Sequence, residues 1–184
     1  KYVDDLIKDD LRANKQDAGA NLAGNVKQEF DLDKKFAKEC GWIEFLSKEC
    51  AYWIRESTGK KMTKFHLIGT LIVRQFQNEY NPLHSHGGHI SGVGYLKLPD
   101  NYGETVQKNK EENYNGNLQL VHGSKNFLSP ITLNIKPKVG DFYFFPNYLM
   151  HSVYPFKKKN AERRSISFNA YIDDTIYISH GKKI

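Results

Sequence analysis

Between residues 33 and 57 the apolar side chains recur at helical spacing, and beyond residue 61 they alternate with polar ones at a period of two. Phe36, Trp42, Phe45, Leu46, Cys50 and Trp53 fall near i, i+3, i+4 intervals with Lys and Glu between them, the pattern of an amphipathic helix. Gly41 interrupts that stripe and predicts a break or kink there. The period-two region predicts strands over 64–77, 89–98, 117–120, 131–135, 141–146, 151–154 and 163–172, with a last short one over 176–179. Turn chemistry separates them: Asn81-Pro82, Pro99-Asp100-Asn101, Asn115-Gly116, Gly140-Asp141 and Lys159-Asn160. The first thirty residues are polar and read as a short helix followed by an irregular arm. The polar stretch 104–115 reads as a mobile loop of the kind that often sits over a site.

Many short strands, one leading helix and no βαβ alternation predict an antiparallel sandwich or barrel with helical support on one face. At 184 residues the chain suits a single domain. Residues 1–60 are expected as helical support and 61–184 as the β core.

Composition narrows the class. Hydrophobic residues make up 39% and aromatics 13% of the chain, which is globular rather than disordered. No apolar run approaches the roughly eighteen residues of a membrane span. The opening residues Lys1-Tyr2-Val3-Asp4-Asp5 lack Met and are charged, so a trimmed or internal start without a signal peptide is expected. Cys40 and Cys50 lie ten residues apart on the helical stripe, about 15 Å along a straight axis, too far for a disulfide. Free buried thiols in a reducing, cytoplasmic setting follow. The net charge is +6, but the lysines are scattered and no basic helix or aromatic-basic interleaving appears. Nucleic acid is therefore not the expected partner. A small-molecule or peptidyl substrate is, and the sequence is silent on oligomeric state.

The chemistry concentrates in Pro82-Leu83-His84-Ser85-His86-Gly87-Gly88-His89, which holds three of the seven histidines. On an extended segment residues i and i+2 project from one face, so His84 and His86 can reach one ion together. Neutral imidazole suits Fe, Zn, Cu and Ni, and three facial ligands leave positions open. His151 is the candidate third ligand, following the tight turn and aromatic strand Gly140-Asp141-Phe142-Tyr143-Phe144-Phe145-Pro146. Twelve residues later, alternation puts Arg163, Ser165, Ser167 and Asn169 on one polar face, and Arg164, Ile166 and Phe168 on the other. An Arg fork beside a hydroxyl suits a carboxylate bound end-on. Arg163 also suits a solvated strand terminus paired with Glu162.

Taken in order, His84-Ser85-His86, then Ser91-Gly92-Val93-Gly94-Tyr95-Leu96, then 140–146, His151 and Glu162-Arg163-Arg164-Ser165-Ile166-Ser167-Phe168-Asn169 resemble the 2-oxoglutarate/Fe(II) oxygenase superfamily, nearest to a branch common in marine bacteria and their phages. The likeness covers roughly residues 68–172. It implies a mainly β double-stranded β-helix (jelly roll) with supporting N-terminal helices. It further implies Fe(II) as cofactor, 2-oxoglutarate as cosubstrate and O2 as oxidant. Carried over by position, His84 and His151 become iron ligands, and Arg163 with Ser165 the hold on the distal carboxylate. The expected reaction hydroxylates a C–H bond and releases succinate and CO2. Tyr95 and Asn81 complete the candidate cosubstrate set. Tyr95, with Phe142 and Phe144, also suits barrel packing, while Tyr80 and Gln75 are weaker candidates for contact with either substrate.

His86 stands where that superfamily usually carries Asp or Glu, and three readings stay open. His86 ligates in a three-histidine site (His84, His86, His151), or the glycines bring His89 round to the ion. In the third, His86-Gly87-Gly88 mirrors halogenating members in which a small residue vacates a ligand position. The missing carboxylate also admits a cupin-like metal-binding protein, or a three-histidine cupin enzyme that does not use 2-oxoglutarate.

Overall fold

A computed structural model describes residues 1–19, 24–105, 111–124, 127–128 and 130–178. Two short helices, α1 (Tyr2–Leu6) and α2 (Asp10–Lys15), lead into a strand, β1 (Gln28–Asp31). Helices α3 (Lys34–Glu39) and α4 (Trp42–Thr58) follow, with Gly41 between them at φ 78°. That left-handed conformation is open to glycine at little cost, so the expected helix breaks there. The β core runs β2 (Phe65–Gln75), β3 (Asn81–His84), β4 (Ile90–Lys97), β5 (Leu118–Val121), β6 (Thr132–Ile135), β7 (Phe142–Pro146), β8 (Met150–Val153) and β9 (Arg163–Ile172), ahead of the one-turn helix α5 (Asp174–Tyr177).

The strands form two antiparallel sheets, a major one in the order β1-β2-β9-β4-β7 and a minor one in the order β3-β8-β5-β6. Two antiparallel sheets with helical support are what the alternation predicted, and they fit the jelly roll that the resemblance implied. Strand β9 lies at the middle of the major sheet, and its two faces differ. Ile166, Phe168, Ala170 and Ile172 point to the helices. The last three pack with Leu46, Cys50 and Ile54 of α4, and Ile166 with Val3, Leu6, Phe30 and Ala37. Each of the larger aliphatic and aromatic side chains contributes roughly 1.5–3 kcal/mol on burial. Trp42 Nε1 donates to Thr70 Oγ1 at 2.9 Å and ties α4 to β2. The opposite face of β9 looks between the sheets.

Four expectations need correction. The arm after the first helices ends in β1, which pairs with β2 from Gln28↔Arg74 to Asp31↔Leu71, so residues 1–60 supply an edge strand as well as helices. Residues 81–84 form β3, although Pro82 sits within it; as an edge strand β3 tolerates the missing donor. Residues 176–178 are not a strand, and Ser179 lies outside the described residues. Both edges of β9 are taken by β2 and β4, and a helical turn instead lowers Ile176 into the α4 core. Finally, both cysteines are free but only Cys50 is buried, since Cys40 caps the exposed end of α3. Of the loop expected over 104–115, residues 106–110 lie outside the described residues. Among the described residues, no helix is long and apolar enough to cross a membrane.

Candidate metal centre

The minor sheet brings two of the predicted ligands face to face. In the β3–β8 ladder His84 stands directly opposite His151, a pairing that places their Cβ atoms about 5 Å apart. His86 lies two residues past the end of β3, where the chain needs another anchor. Asn147 supplies it: the His86 amide donates to Asn147 O, and Asn147 Nδ2 donates back to His86 O, each at 3.0 Å. Tyr177 in turn donates its hydroxyl to Asn147 Oδ1 at 2.9 Å.

The ring orientations are set by backbone carbonyls. His84 Nδ1–H donates to Pro82 O at 2.7 Å, and His151 Nδ1–H donates to Leu149 O at 2.9 Å. Each bond leaves Nε2 with its lone pair free, as a metal ligand requires. His86 Nε2 lies 3.0 Å from His151 Nε2, and one ligand atom from each of His84, His86 and His151 falls within 4.8 Å of the others. Two ligands at right angles around an ion held at about 2.1 Å stand about 3 Å apart, so the His86–His151 separation fits a shared ion. Burial, helped by the neighbouring His151 and His84, pushes the His86 imidazole down to about 3. Burial also takes His151 down to about 4, against the Leu149 hydrogen bond that favours the charged ring, with His84 adding to the fall. Both rings are therefore neutral at physiological pH, the ligating form.

His89 is turned elsewhere. Its Nδ1 accepts from the Ile172 amide at 3.2 Å, its ring stacks on Tyr177 with centroids 4.1 Å apart, and its Nε2 lies 3.7 Å from Asp174. It takes no part in the three-imidazole cluster.

The three histidines line a cavity of about 290 Å³ between the sheets, and Asn81, Arg163, Ser165 and Ser167 line it too. Arg163 is 1% exposed, so the solvated terminus does not apply. Its Nε donates to Gly116 O at 3.1 Å, Nη1 reaches Ser165 Oγ at 3.5 Å, and the guanidinium sits over the Tyr95 ring at 5.0 Å. Nη2 is buried with no hydrogen-bond partner. An orphaned guanidinium nitrogen is costly to bury, and a carboxylate is the group that would complete it. The donor set thus fits a divalent metal, and Arg163 fits a dicarboxylate cosubstrate.

Several contributors were not legible as site residues. Gly116, at φ 71°, brings its carbonyl to Arg163, and a Cβ there would run into the Tyr102 ring. The buried Tyr102 hydroxyl lies beside the Arg163 guanidinium. Glu29 of β1 lines the same cavity; its sequence signal is only a short alternation with Phe30 and Leu32. Neither weaker candidate lines the cavity. Gln75 Nε2 donates to Glu79 O and Tyr154 O at 2.6 and 3.0 Å, and the Tyr80 side chain is exposed.

A family model described as "Putative 2OG-Fe(II) oxygenase" matches residues 70–169. No curated protein matches the chain. Among solved structures, the viral collagen prolyl hydroxylase of Paramecium Bursaria Chlorella virus-1 in its 2OG complex is 18% identical, with a TM-score of 0.56 over 92% of this chain and 87% of that one. HygX from Streptomyces hygroscopicus with nickel and 2-oxoglutarate bound is 14% identical, with a TM-score of 0.54 over 84% and 72%. The non-heme alpha ketoglutarate dependent epimerase SnoN from nogalamycin biosynthesis is 15% identical, with a TM-score of 0.53 over 85% and 65%. At these identities the likeness is one of fold.

Proposed function

This chain belongs to the 2OG-Fe(II) oxygenase family, and from that premise we propose that it hydroxylates a C–H bond of a peptidyl or small-molecule substrate. Fe(II) is the family's metal and 2-oxoglutarate its cosubstrate. In the proposed site His84, His86 and His151 hold the iron, Arg163 and Ser165 hold the distal carboxylate of 2-oxoglutarate, and Tyr95 stands beside it, while Asn81, grouped with them from the sequence, lines the cavity near Glu29 instead. One observation carries the reading. A single cavity holds three imidazoles with converging nitrogens and a buried guanidinium whose Nη2 lacks a partner.

Bound there, iron and 2-oxoglutarate together supply activation of O2, with succinate and CO2 as coproducts. The protein's own residues do the positioning. Pro82 O and Leu149 O fix the His84 and His151 rings so that Nε2 faces the ion, and Asn147 clamps the backbone at His86. Phe145, whose ring lies 5.0 Å from His151, keeps water from that side of the centre. All three ligands are imidazoles and none is a carboxylate, so a divalent ion keeps its full charge, which favours a dianionic cosubstrate. The chain is proposed to act as one catalytic domain. A cytoplasmic setting is part of the same proposal, supported by two unpaired thiols, one of them exposed.

The test reconstitutes the protein anaerobically with Fe(II), titrates 2-oxoglutarate while following the visible charge-transfer absorption, and then measures succinate in air without a prime substrate. A saturable band and slow succinate release are expected, both weakened in Arg163→Ala. Iron binding without any 2-oxoglutarate binding overturns the proposal. Metal-dependent activity indifferent to Arg163→Ala assigns the protein instead to the three-histidine enzymes that work without 2-oxoglutarate.

A further inference from the structure

The cavity has a second charged end that neither the iron nor 2-oxoglutarate accounts for. Glu29 is 3% exposed, and its Oε2 has no hydrogen-bond partner. Asn81, three residues ahead of the His84 position, lines the same space, and its Oδ1 is likewise buried without a partner. The two side chains meet at Gly24, with Glu29 reaching it through its other oxygen, Oε1. A Cβ added to Gly24 would collide with Asn81 Oδ1 and come within 3.4 Å of Glu29 Oε1, so glycine there leaves the space in which both oxygens lie.

The register sets this end apart from Arg163. Glu29 pairs with Val73, and Val73 pairs with Ser165. The Glu29 side chain is therefore on the cavity face of the major sheet, two strands from Ser165. At 4.7–4.9 Å per strand that is about 10 Å. The charges bearing on Glu29 are negative ones, from Asp17 and Glu79, and with burial as the larger cause they raise its carboxyl to about 7. Although the chain carries a net charge of +6, no cation answers this carboxylate among the described residues. Buried polar atoms are paired in native proteins as a rule, and exceptions call for an ordered water, a ligand or a function.

We propose that Glu29 and Asn81 form a substrate-recognition subsite for a cationic nitrogen, a protonated amine or guanidinium, carried by the molecule that is oxidised. Two acceptor side chains meeting in a buried, acidic corner select a donor-rich cation over an alcohol and repel a carboxylate. Substrate and cosubstrate are then sorted by charge: the dianion goes to Arg163 and the cation to Glu29, with the histidines lining the same cavity. This inference rests on the proposed oxygenase function and narrows its substrate class.

The test uses the anaerobic protein loaded with Fe(II) and 2-oxoglutarate, titrated separately with n-butylammonium chloride, 1-butanol and sodium butyrate. Binding is read from ligand proton relaxation by NMR. Saturable binding of n-butylammonium at least about tenfold tighter than the other two is expected, from one well-formed charge-assisted contact. Glu29→Gln keeps the shape and removes the charge, so it should abolish the preference while the 2-oxoglutarate absorption band stays unchanged. Equal binding of the three probes to the wild-type protein overturns the subsite, and so does a preference that survives Glu29→Gln. The band reports the parent reading independently. Its absence in the wild-type protein overturns the oxygenase proposal, whereas an intact band without ammonium preference overturns the subsite alone.

Discussion

Arg163 and Arg164 are neighbours on β9, both buried, and they meet opposite surroundings. On the helix face, Arg164 donates to Glu162 through Nε at 2.8 Å and Nη2 at 3.2 Å, and to Asp4 through Nη1 at 2.9 Å. Glu162 also receives Arg74 at 2.6 Å and Lys97 at 3.0 Å. On the cavity face, Arg163 has one backbone carbonyl, a long contact to the Ser165 hydroxyl and the Tyr95 and Tyr102 phenols beside it, and no carboxylate pairs with it among the described residues. The carboxylates repeat the contrast. Burial alone would push Glu162 up, but the hydrogen bonds from Arg74, Arg164 and Lys97 outweigh it and hold the group at about 2, whereas Glu29 rises to about 7. A saturated ion network holds elements together. Unsaturated buried charge is tolerated only where the surrounding fold enforces it and a ligand completes it.

The largest effect is expected from removing a metal ligand. His84→Ala or His151→Ala should abolish iron loading and reduce succinate formation to background, while metal-free thermal unfolding shifts little. Metal content and succinate assays check both arms, and retained turnover would detach the cavity face from function. The two arginines come next, with crossed effects. Arg163→Ala should raise the KM for 2-oxoglutarate roughly 100-fold, about 2.7 kcal/mol and in the lower half of the 2–5 kcal/mol that truncating one partner of a buried charge pair costs. Arg164→Ala should leave that KM unchanged and destabilise the fold by about 3–5 kcal/mol, because Glu162 loses its two-point partner. Steady-state kinetics and urea unfolding on both variants separate them.

Acid titration sharpens the contrast further. The folded Glu162 carboxyl lies below its ordinary value near 4.5, so its stabilisation is complete above that pH and is lost as pH falls through about 2. The loss is on the order of 3 kcal/mol, visible as a falling urea midpoint that Glu162→Gln flattens. Glu29 has the opposite sign. Its folded carboxyl is raised, so the protonated group favours the fold at low pH, and stability falls as pH rises from near 4.5 through about 7. The effect is no larger than about 3 kcal/mol. Glu29→Gln should therefore make the protein more stable than wild type at pH 8 and little different at pH 4. A destabilised Glu29→Gln at pH 8 would mean that the carboxylate is satisfied and structural.

The seven main strands of the β core were legible because side chains alternate at a period of two whatever pairs with them. The same periodicity exposed the polar face of β9 and the shared face of His84 and His86. Strand β1 was hidden by its length, four residues in a polar arm, and with it went Glu29. The short helix at 174–177 was hidden because Ile176 and Ile178 alternate as a strand would, while the competing fact, that β9 has no free edge, belongs to the sheet. Asn147 carried no signal at all, since its role lies in two hydrogen bonds to a backbone sixty-one residues away.

By itself, the sequence determined which side chains share a face and which chemistry they bring: two imidazoles at i and i+2, and an Arg and a hydroxyl at the same spacing. These are properties of neighbouring residues, set by backbone geometry within a few ångströms. Only the tertiary structure decided that His151 stands across from His84, that His89 turns to Tyr177 instead, and that an edge strand from the N-terminal arm puts an unpaired carboxylate in the cavity. Those outcomes depend on strand register and chain closure over tens of residues. Local periodicity leaves both undetermined, because a strand exposes the same two faces to any partner it meets.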